Sequence, residues 1–536
     1  MALHSGKPAA SASRWRFLPF ALAALSFAIY SCTIFSLPQV RDSRYCCEQS
    51  SVAAAVSKLK YRARLGRLYS GVFDYFIAHF DEPLEQTLRQ AQKPGGLPAN
   101  PGELYQTTRD GNGIGYPLIA TAAFRLFGMH AWALTLTMLL LMAASAMMFL
   151  LRFSGPAYVG IVILYFTALT LMLFTPLVWD PSYIVEIPVG GIRYFSLATT
   201  LPIFHILLEL IETDSKTAVP RGRIDLLLGL QSAILVLVIL VRGSALSLIG
   251  AIVLVICILA WRRRRERKTF RGLLGNAAMI GFASACTLVL ITLSVPHEYL
   301  TQGRFGTLIW DRVFQGLGAN PAFPFPGVND MFDCKKYVPE GITAGFPDTN
   351  GGCVWYDYVV KHHLPLETKD DKLYGSLFET AARQAFFRIV ARYPGEALKT
   401  FLYYKPRYIV WSIARSLRFN FSGDQRRVLI PGVAKVTSYS SFAIGLLVFA
   451  LGLGLVYFCL AKSVAKDLWR VTGVTVLAAL FTLPSYIAVW ALPHTSADLL
   501  LYCLMAPGLA LGALVLAVRV AKRRWDERAR ISTAKT

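Results

Sequence analysis

Long runs of apolar residues, separated by short polar connections, dominate the pattern along the chain. Because an α-helix needs about 20 apolar residues to cross the hydrocarbon core of a bilayer, each run of that length predicts a membrane span. The pattern predicts about ten spans, over residues 17–37, 131–151, 156–175, 194–212, 225–241, 244–261, 273–294, 441–461, 471–491 and 498–518. The first run follows Lys7, Arg14 and Arg16, and we interpret it as a signal anchor because it is longer than the apolar core of a signal peptide.

The composition favours an all-α polytopic membrane protein. Of the 536 residues, 55% are hydrophobic and only 16% are charged, whereas soluble domains carry about a quarter charged residues. These values exclude an ordinary soluble enzyme, a disordered chain and a disulfide-rich secreted scaffold.

The basic residues predict the orientation of the chain. With the N-terminus in the cytoplasm, about 24 of the 55 basic residues but only about 8 of the 32 acidic ones fall in the inner segments, such as 262–268 and 522–524. Both termini are therefore predicted to be cytoplasmic. Most of the net charge of +23 then lies in the inner segments and reflects the orientation of the chain, so nucleic acid is not an expected partner.

Three regions are expected along the chain. Residues 1–294 form a seven-span unit with a large first outer loop at 40–128, in which 50–80 reads as one helical stretch. Residues 295–436 form an extracytoplasmic loop domain of mixed structure between spans 7 and 8, helical over 374–421. Residues 437–536 form a three-span region with a basic cytoplasmic tail. A disulfide between Cys334 and Cys353, both in the second outer loop, is an open question.

Acidic residues in the outer segments are the candidates for catalysis. Asp81 and Glu82 follow an aromatic amphipathic stretch, and Asp110 precedes a short apolar helix that we expect to lie along the membrane interface. Asp180 falls in a short loop between spans 3 and 4, so it is expected at membrane level, where a carboxylate usually lines a wet cavity. The structural alternatives are a helix N-cap for Asp180, which precedes proline, and a turn for Asp110, which begins Asp-Gly-Asn-Gly.

The order of these features resembles the GT-C superfamily, integral-membrane glycosyltransferases that use polyprenyl-phosphate sugars, such as the protein O-mannosyltransferases and the lipid A aminoarabinose transferases. The resemblance covers about residues 1–295. It is carried by a first span, an outer loop with the Asp81-Glu82 pair, and a helix that opens with Pro117-Leu118 and closes on Leu126-Phe127-Gly128.

The resemblance implies roles for the acidic residues. Asp81, with Glu82 beside it, corresponds to the family's catalytic carboxylate of the first loop, and Asp180 to the acidic residue of the second outer loop. The double proline of the family's motif is absent before Leu118, and Asp81 lies farther from the first span than is usual. Asp110 therefore competes with Asp81 for the role of general base, which activates the acceptor hydroxyl.

Basic residues are the candidates for holding the donor phosphate. The part of the second outer loop after residue 383 is basic and interleaved with aromatics, a composition typical of interfacial helices that reach lipid phosphates. The candidates for phosphate binding are Arg193, Arg242, Arg388, Arg392, Lys405 and Arg407. The alternatives are adhesion to anionic headgroups for the loop and snorkelling for Arg193 and Arg242. His205 lies in mid-span and is expected to be neutral and hydrogen-bonded.

The predicted function is transfer of a sugar from a polyprenyl-phosphate donor to a lipid, glycan or protein acceptor, on the periplasmic face of a bacterial inner membrane. No metal site or cofactor is predicted, although a divalent cation is left open. The alternatives are an enzyme resembling O-antigen ligases or polymerases, which would work through loop arginine and histidine residues, and a polytopic transporter or flippase. A transporter predicts inverted repeats and charges at mid-bilayer, and a purely structural protein is a further alternative.

Overall fold

The computed structural model describes residues 11–36, 48–79, 82–106, 114–173, 175, 189–212, 221–295, 310, 313–314, 316–322, 362, 371–416, 450–457, 459, 463, 465–488 and 497–533. The first part contains helices α1 (Ser11–Ser36), α2 (Gln49–Tyr61), α3 (Ser70–Ala78), α4 (Leu84–Gln92), α5 (Gly115–Phe127), α6 (Ala131–Arg152), α7 (Pro156–Met172), α8 (Ile192–Phe195), α9 (Thr200–Ile211), α10 (Arg221–Val241), α11 (Ser247–Arg265) and α12 (Arg271–Ser294). The second part contains α13 (Asp371–Arg392), α14 (Pro394–Lys399), α15 (Lys405–Ser416), α16 (Ala465–Ala488) and α17 (Ala497–Thr533). Strands β1 (Arg67–Tyr69) and β2 (Leu104–Gln106) form a two-stranded antiparallel sheet in the first outer loop.

The described helices confirm an all-α protein with several helices of membrane-spanning character. Five are long and apolar enough to cross a bilayer within the described residues, namely Ala131–Arg152, Ile192–Ile211, Gly222–Val241, Arg271–Ser294 and Ala497–Lys522. Phe20–Ser36 and Pro156–Met172 are shorter apolar helices. Of the predicted span at 441–461, only 450–457 and 459 are described. The total of ten spans and the orientation stay predictions.

The bundle is built around α7, which is buried on nearly all sides. It packs against α1, α16 and α17, while α9 packs against α6, α10, α11 and α16. The C-terminal helices therefore lie directly on helices of the first half of the chain. We call the end that carries Ile192, Val241 and Ala497 the outer end, and the opposite end, with Arg152 and Ile211, the inner end.

The first outer loop differs from its prediction. The stretch 50–80 is two helices, α2 and α3, separated by β1, and not one. Helix α2 ends because Arg62 adopts a left-handed conformation at φ 57°, and Gly66 follows at φ 81°. A right-handed helix cannot continue through a residue of positive φ, so the chain turns there.

Helix α5 packs into the bundle against α2, α6 and α10. Its first residue, Gly115, meets the end of α10 so closely that an added Cβ would lie 2.5 Å from the backbone nitrogen of Val241. The apolar residues Ile119, Ala120 and Ala123 are buried by these neighbours. The expected position at the membrane interface is not tested by this packing.

The second half of the second outer loop is helical, as predicted, over the described part that ends at 416; residues 417–421 lie outside it. The helical path is broken before Pro394 and carries a π-helical turn at Thr400–Tyr404. Phe314 and Leu317 pack on α13 through Ile389. Helix α15 contacts α16 and α17 at their outer ends, so the basic helical segment lies against the membrane helices. Cys334 and Cys353 lie outside the described residues, so their pairing stays an open question.

Candidate functional site

The outer end of the bundle contains a break in an otherwise apolar helical path. Between α8 and α9, residues Ser196–Thr199 form a buried 3-10 turn, so the hydrogen-bond pattern changes there from that of the α-helices on either side. The side chain of Arg242 donates from Nη1 to the carbonyl oxygen of Arg193 at 3.1 Å, and the Thr199 hydroxyl donates to that of Ser196 at 2.7 Å. The break is therefore stabilised by polar side chains.

A buried carboxylate from the last helix joins this group. Asp498, in the first turn of α17, accepts a short hydrogen bond from the Ser196 hydroxyl through Oδ1 and a 3.0 Å bond from the Tyr486 hydroxyl through Oδ2. The Ser196 oxygen also lies 3.5 Å from Nη1 of Arg242. We call Arg193, Ser196, Arg242, Tyr486 and Asp498 the outer polar cluster. It brings together the break after α8, the end of α10 and the outer ends of α16 and α17.

A second buried carboxylate approaches the same place from the first outer loop. Glu48 directly precedes α2 and is 1% exposed. Its Oε1 accepts a hydrogen bond of 3.1 Å from the backbone nitrogen of Ile192, the neighbour of Arg193. An acidic group at the start of a short helix is electrostatically favourable. Glu48 therefore connects the first outer loop to the outer polar cluster.

The backbone that leads into α8 is held in place by two neighbouring helices. The Tyr116 hydroxyl donates to the carbonyl oxygen of Gly190 at 2.9 Å, and the Thr135 hydroxyl donates to that of Val189 at 2.8 Å. Gly190 has φ 94°, and a Cβ there would lie 2.8 Å from the backbone nitrogen of Thr135. Only glycine fits this position without strain.

Most of the predicted catalytic residues cannot be placed in this geometry. Asp81, Asp110 and Asp180 lie outside the described residues. Glu82 is described and lies at the turn between α3 and α4, where Gln90 donates to its Oε2 at 3.4 Å. Burial, and secondarily the charge of Glu82, raise the pKa of Tyr75 above its ordinary value.

The six predicted phosphate-binding cations fall into two groups, and Lys405 differs from both. Arg193 and Arg242 belong to the outer polar cluster, where the Arg242 guanidinium contacts the Arg193 backbone. Arg388, Arg392 and Arg407 are exposed on α13 and α15, which suits contacts with headgroups. Lys405 corrects the expectation of an interfacial cation, because it is only 2% exposed and its Nζ lies 5.1 Å from the centroid of Phe401. Burial lowers its pKa to about 7.

The inner end holds a buried charge network that was not predicted from the sequence. Arg152 donates to both carboxylate oxygens of Glu209, at 2.6 and 3.2 Å. Glu212 accepts from Arg470 on α16 and from the Tyr158 hydroxyl. In the sequence these residues are isolated charges at the ends of apolar runs. Which of them pair depends on the packing of four different helices and could not be predicted.

His205 differs from its prediction. It is fully buried, and neither ring nitrogen has a hydrogen-bond partner among the described residues. Its ring lies 6.1 Å from that of Phe149 and 5.2 Å from that of Phe153, measured between centroids. The expected hydrogen bond is absent from the described structure because aromatic rings occupy its surroundings.

The described residues contain no group of three or more His, Cys, Asp or Glu side chains that could hold a metal ion. Because residues outside the described ranges could contribute ligands, the question of a divalent cation stays open.

Comparisons with known proteins add little to this geometry. No protein-family model matches the chain, and no curated protein matches it. Among solved structures, the chain is similar to the crystal structure of ArnT from Cupriavidus metallidurans in the apo state, with a TM-score of 0.27 and 14% sequence identity over 92% of this chain and 78% of that chain. A TM-score this low carries no argument about fold or activity.

Proposed function

We propose that the protein is a membrane glycosyltransferase that moves a sugar from a polyprenyl-phosphate donor to a lipid, glycan or protein acceptor. The proposed location is a bacterial inner membrane, with the active face in the periplasm. The observation that carries the proposal is the outer polar cluster, in which the guanidinium of Arg242 contacts the backbone of Arg193 at the outer ends of apolar helices, with buried carboxylates nearby. A polyprenyl-phosphate donor presents its phosphate at this depth while its lipid tail stays in the bilayer.

The proposed chemistry is a direct displacement at the anomeric carbon of the sugar. The acceptor hydroxyl loses its proton to a carboxylate and its oxygen bonds to that carbon, while the bond to the phosphate oxygen breaks. The polyprenyl phosphate leaves with the electron pair, and the guanidinium groups of Arg193 and Arg242 stabilise its developing charge. A single displacement of this kind inverts the configuration of the sugar and needs no enzyme nucleophile.

The proposed base is a carboxylate of the outer segments. Asp81 and Asp110 are the candidates for the base, Glu82 lies beside Asp81, and Asp180 is proposed to position the acceptor. Glu48 is added to these candidates because it is buried and its carboxylate accepts a hydrogen bond from the backbone nitrogen of Ile192, the residue before Arg193. A carboxylate within reach of the acceptor hydroxyl can take its proton as a general base.

The helical part of the second outer loop is proposed to contact the donor's headgroup region. Its exposed arginines share α13 and α15 with exposed apolar side chains, namely Phe387 and Val410, and the intervening turn exposes Leu402 and Tyr403. Apolar and cationic groups on one surface are typical of helices that lie at a membrane interface. Helix α15 also packs on the outer polar cluster, since Ile409 contacts Tyr486.

The experiment compares lipid extracts from a deletion strain complemented with single variants. We expect loss of the protein to cause accumulation of one polyprenyl-phosphate sugar, detected by mass spectrometry, and wild type to remove it. Glu48→Gln, Asp81→Asn, Asp110→Asn and Asp180→Asn test the carboxylates, and Arg193→Gln and Arg242→Gln test the phosphate site. Glu266→Gln at the inner end is a matched control. Wild-type lipid profiles in all six site variants would refute the mechanism.

A ligase-like or polymerase-like enzyme is the second candidate, favoured by the exposure of Arg388, Arg392 and Arg407 on the outer loop. The same assay separates the two. If these loop arginines are essential while the four carboxylate variants stay active, the ligase-like function is supported and the carboxylate mechanism is wrong.

A further inference from the structure

The carboxylate of Asp498 is fully engaged inside the protein. It is 8% exposed, and each of its oxygens accepts a hydrogen bond, one from Ser196 and one from Tyr486. A buried carboxylate is costly unless it is paired with hydrogen-bond donors or a cation. Its nearest cationic neighbour through these bonds is Arg242, whose Nη1 lies 3.5 Å from the Ser196 oxygen.

The Ser196 hydroxyl has two possible hydrogen-bond acceptors. Its oxygen lies 2.8 Å from the carbonyl oxygen of Arg193 and also within hydrogen-bond distance of Asp498. A hydroxyl has only one proton, and an ionised carboxylate is the stronger acceptor. The proton therefore points at Asp498.

The direction of the Ser196 proton affects how the serine oxygen contacts Arg242. With its proton on the Asp498 side, the Ser196 oxygen presents a lone pair to the guanidinium of Arg242. The carbonyl oxygen of Arg193, which has two lone pairs, accepts from the same guanidinium at 3.1 Å for either direction of the serine proton. Both contacts hold Arg242 at the outer end of α10 and oppose its extension toward the lipid headgroups, the usual behaviour of an arginine at the end of a span.

We propose that Asp498 is a positioning residue for Arg242, acting through Ser196, so that the last helix of the chain orients the guanidinium that receives the donor phosphate. The phosphate-binding part of this proposal rests on the proposed function, whereas the positioning of Arg242 does not. No predicted site residue lies on α17, so the proposal extends the site to the C-terminal helices.

The first test measures the position of Arg242 without any transferase assay. Purified protein in detergent is treated with phenylglyoxal, which modifies accessible arginines, and the modified sites are quantified by mass spectrometry. We expect Asp498→Asn to increase the modification rate of Arg242 several-fold, while the exposed Arg407 serves as an internal reference and stays unchanged. Glu266→Gln is the matched carboxylate-to-amide control at the inner end. An unchanged rate at Arg242 in folded Asp498→Asn protein overturns the proposal.

The second test asks whether Asp498 acts through Ser196. Affinity for farnesyl phosphate, a short polyprenyl phosphate, is measured for Asp498→Asn, Ser196→Ala and the double variant. We expect about a tenfold weaker Kd for Asp498→Asn and a double variant no weaker than the weaker single variant, because both changes remove the same link. Losses that multiply would show a merely structural role for Asp498 and overturn the proposal.

Folding and function are kept separate in these outcomes. If Asp498→Asn does not fold, Ser196→Ala and Asp498→Glu replace it in both assays. Asp498→Glu keeps the carboxylate, so Arg242 is expected to react with phenylglyoxal at the wild-type rate in that variant. If Arg242 becomes more reactive in Asp498→Asn but farnesyl phosphate binds equally well, the positioning proposal stands and the phosphate role in the proposed function fails.

Discussion

At the scale of single residues, Lys405 shows how burial changes the properties of a predicted interfacial cation. It begins α15 but is buried against Phe401, where a charged ammonium is poorly solvated. Burial lowers its pKa from 10.5 to about 7. In the folded protein the amine is therefore neutral over much of the alkaline range, whereas in the unfolded chain it is charged up to its ordinary pKa.

The first prediction concerns Lys405→Met and pH. Below about pH 7 the Lys405 amine is charged in both the folded and the unfolded protein, so folding carries the full cost of burying that charge. From pH 7 to about 10.5 the amine is neutral in the folded protein but still protonated in the unfolded chain. The free energy of unfolding therefore rises with pH over this range. We expect Lys405→Met to raise the melting temperature in detergent, most strongly at pH 6 and much less at pH 10. Lys399→Met, an exposed lysine of the same segment, is the control. An equal shift at both pH values would contradict the prediction.

The second prediction concerns the buried ion pair between Arg152 and Glu209. Their side chains are 5% and 2% exposed, and Arg152 also lies 3.9 Å from Glu212. Removing one partner of a buried ion pair costs about 3–5 kcal/mol. We expect Arg152→Met to reduce thermal stability strongly and the double variant with Glu209→Leu to recover most of it.

The matched control for this pair is Arg262→Met. Arg262 and Glu266 also form an arginine–glutamate pair at 2.7 Å, but Arg262 is exposed, and exposed pairs contribute little. Similar losses for Arg152→Met and Arg262→Met would show that burial is not what makes the inner pair important.

At the scale of elements, the close approach of α5 to α10 depends on Gly115. A Cβ at this residue would lie 2.5 Å from Val241 N and 2.6 Å from the carbonyl carbon of Leu240, and backbone atoms cannot move aside as a side chain can. We expect Gly115→Ala to separate the two helices, to lower stability by about 1–3 kcal/mol and to displace Arg242, which follows Val241. Thermal stability and the phenylglyoxal reactivity of Arg242 measure both effects.

Gly281→Ala is the control for this third prediction. Gly281 lies inside α12 and has nothing within 4 Å of an added Cβ, so alanine is expected to be neutral or to stabilise the helix. If both substitutions destabilise the protein equally, the contact between α5 and α10 is not the cause.

The apolar helices were largely predictable because hydropathy is a local property. The predicted runs 131–151 and 273–294 agree with α6 and α12 to within two residues. The break in 50–80 was not predicted, since a left-handed Arg62 in a polar stretch has no hydropathy signal. The 3-10 turn at Ser196–Thr199 was not predicted for the same reason, because its residues continue an apolar run.

At the scale of the whole molecule, the site could be predicted only in part. The positions of Arg193 and Arg242 at the outer ends of predicted spans indicate both residues, and in the structure the Arg242 guanidinium contacts the backbone carbonyl of Arg193. Their phosphate-binding role stays a prediction. The bond between Ser196 and Asp498 joins residues 302 positions apart, and nothing in either local sequence indicates the partner. Only the packing of α17 against the outer end of the bundle brings them together.

The orientation of the molecule is the last prediction, and the proposed function depends on it. Arg242 lies just before α11, and exposed basic residues, namely Arg262, Arg264, Arg265, Arg267 and Lys268, lie at its other end. The apolar residues 247–261 of α11 separate Arg242 from this basic run, and α12, one of the five helices of spanning length, leads away from it. Because dense basic connections stay in the cytoplasm, the outer polar cluster is expected on the opposite face.

Reporter fusions test this orientation. Alkaline phosphatase, active only outside the cytoplasm, is expected to be inactive when fused after Lys268 or Thr533 and active when fused after Val295, and green fluorescent protein to give the reverse. The two reporters control for each other at every position. Phosphatase activity after Lys268 would place the outer polar cluster in the cytoplasm, where a donor presented at the periplasmic face could not reach Arg193 and Arg242, and the proposed reaction would lose its site.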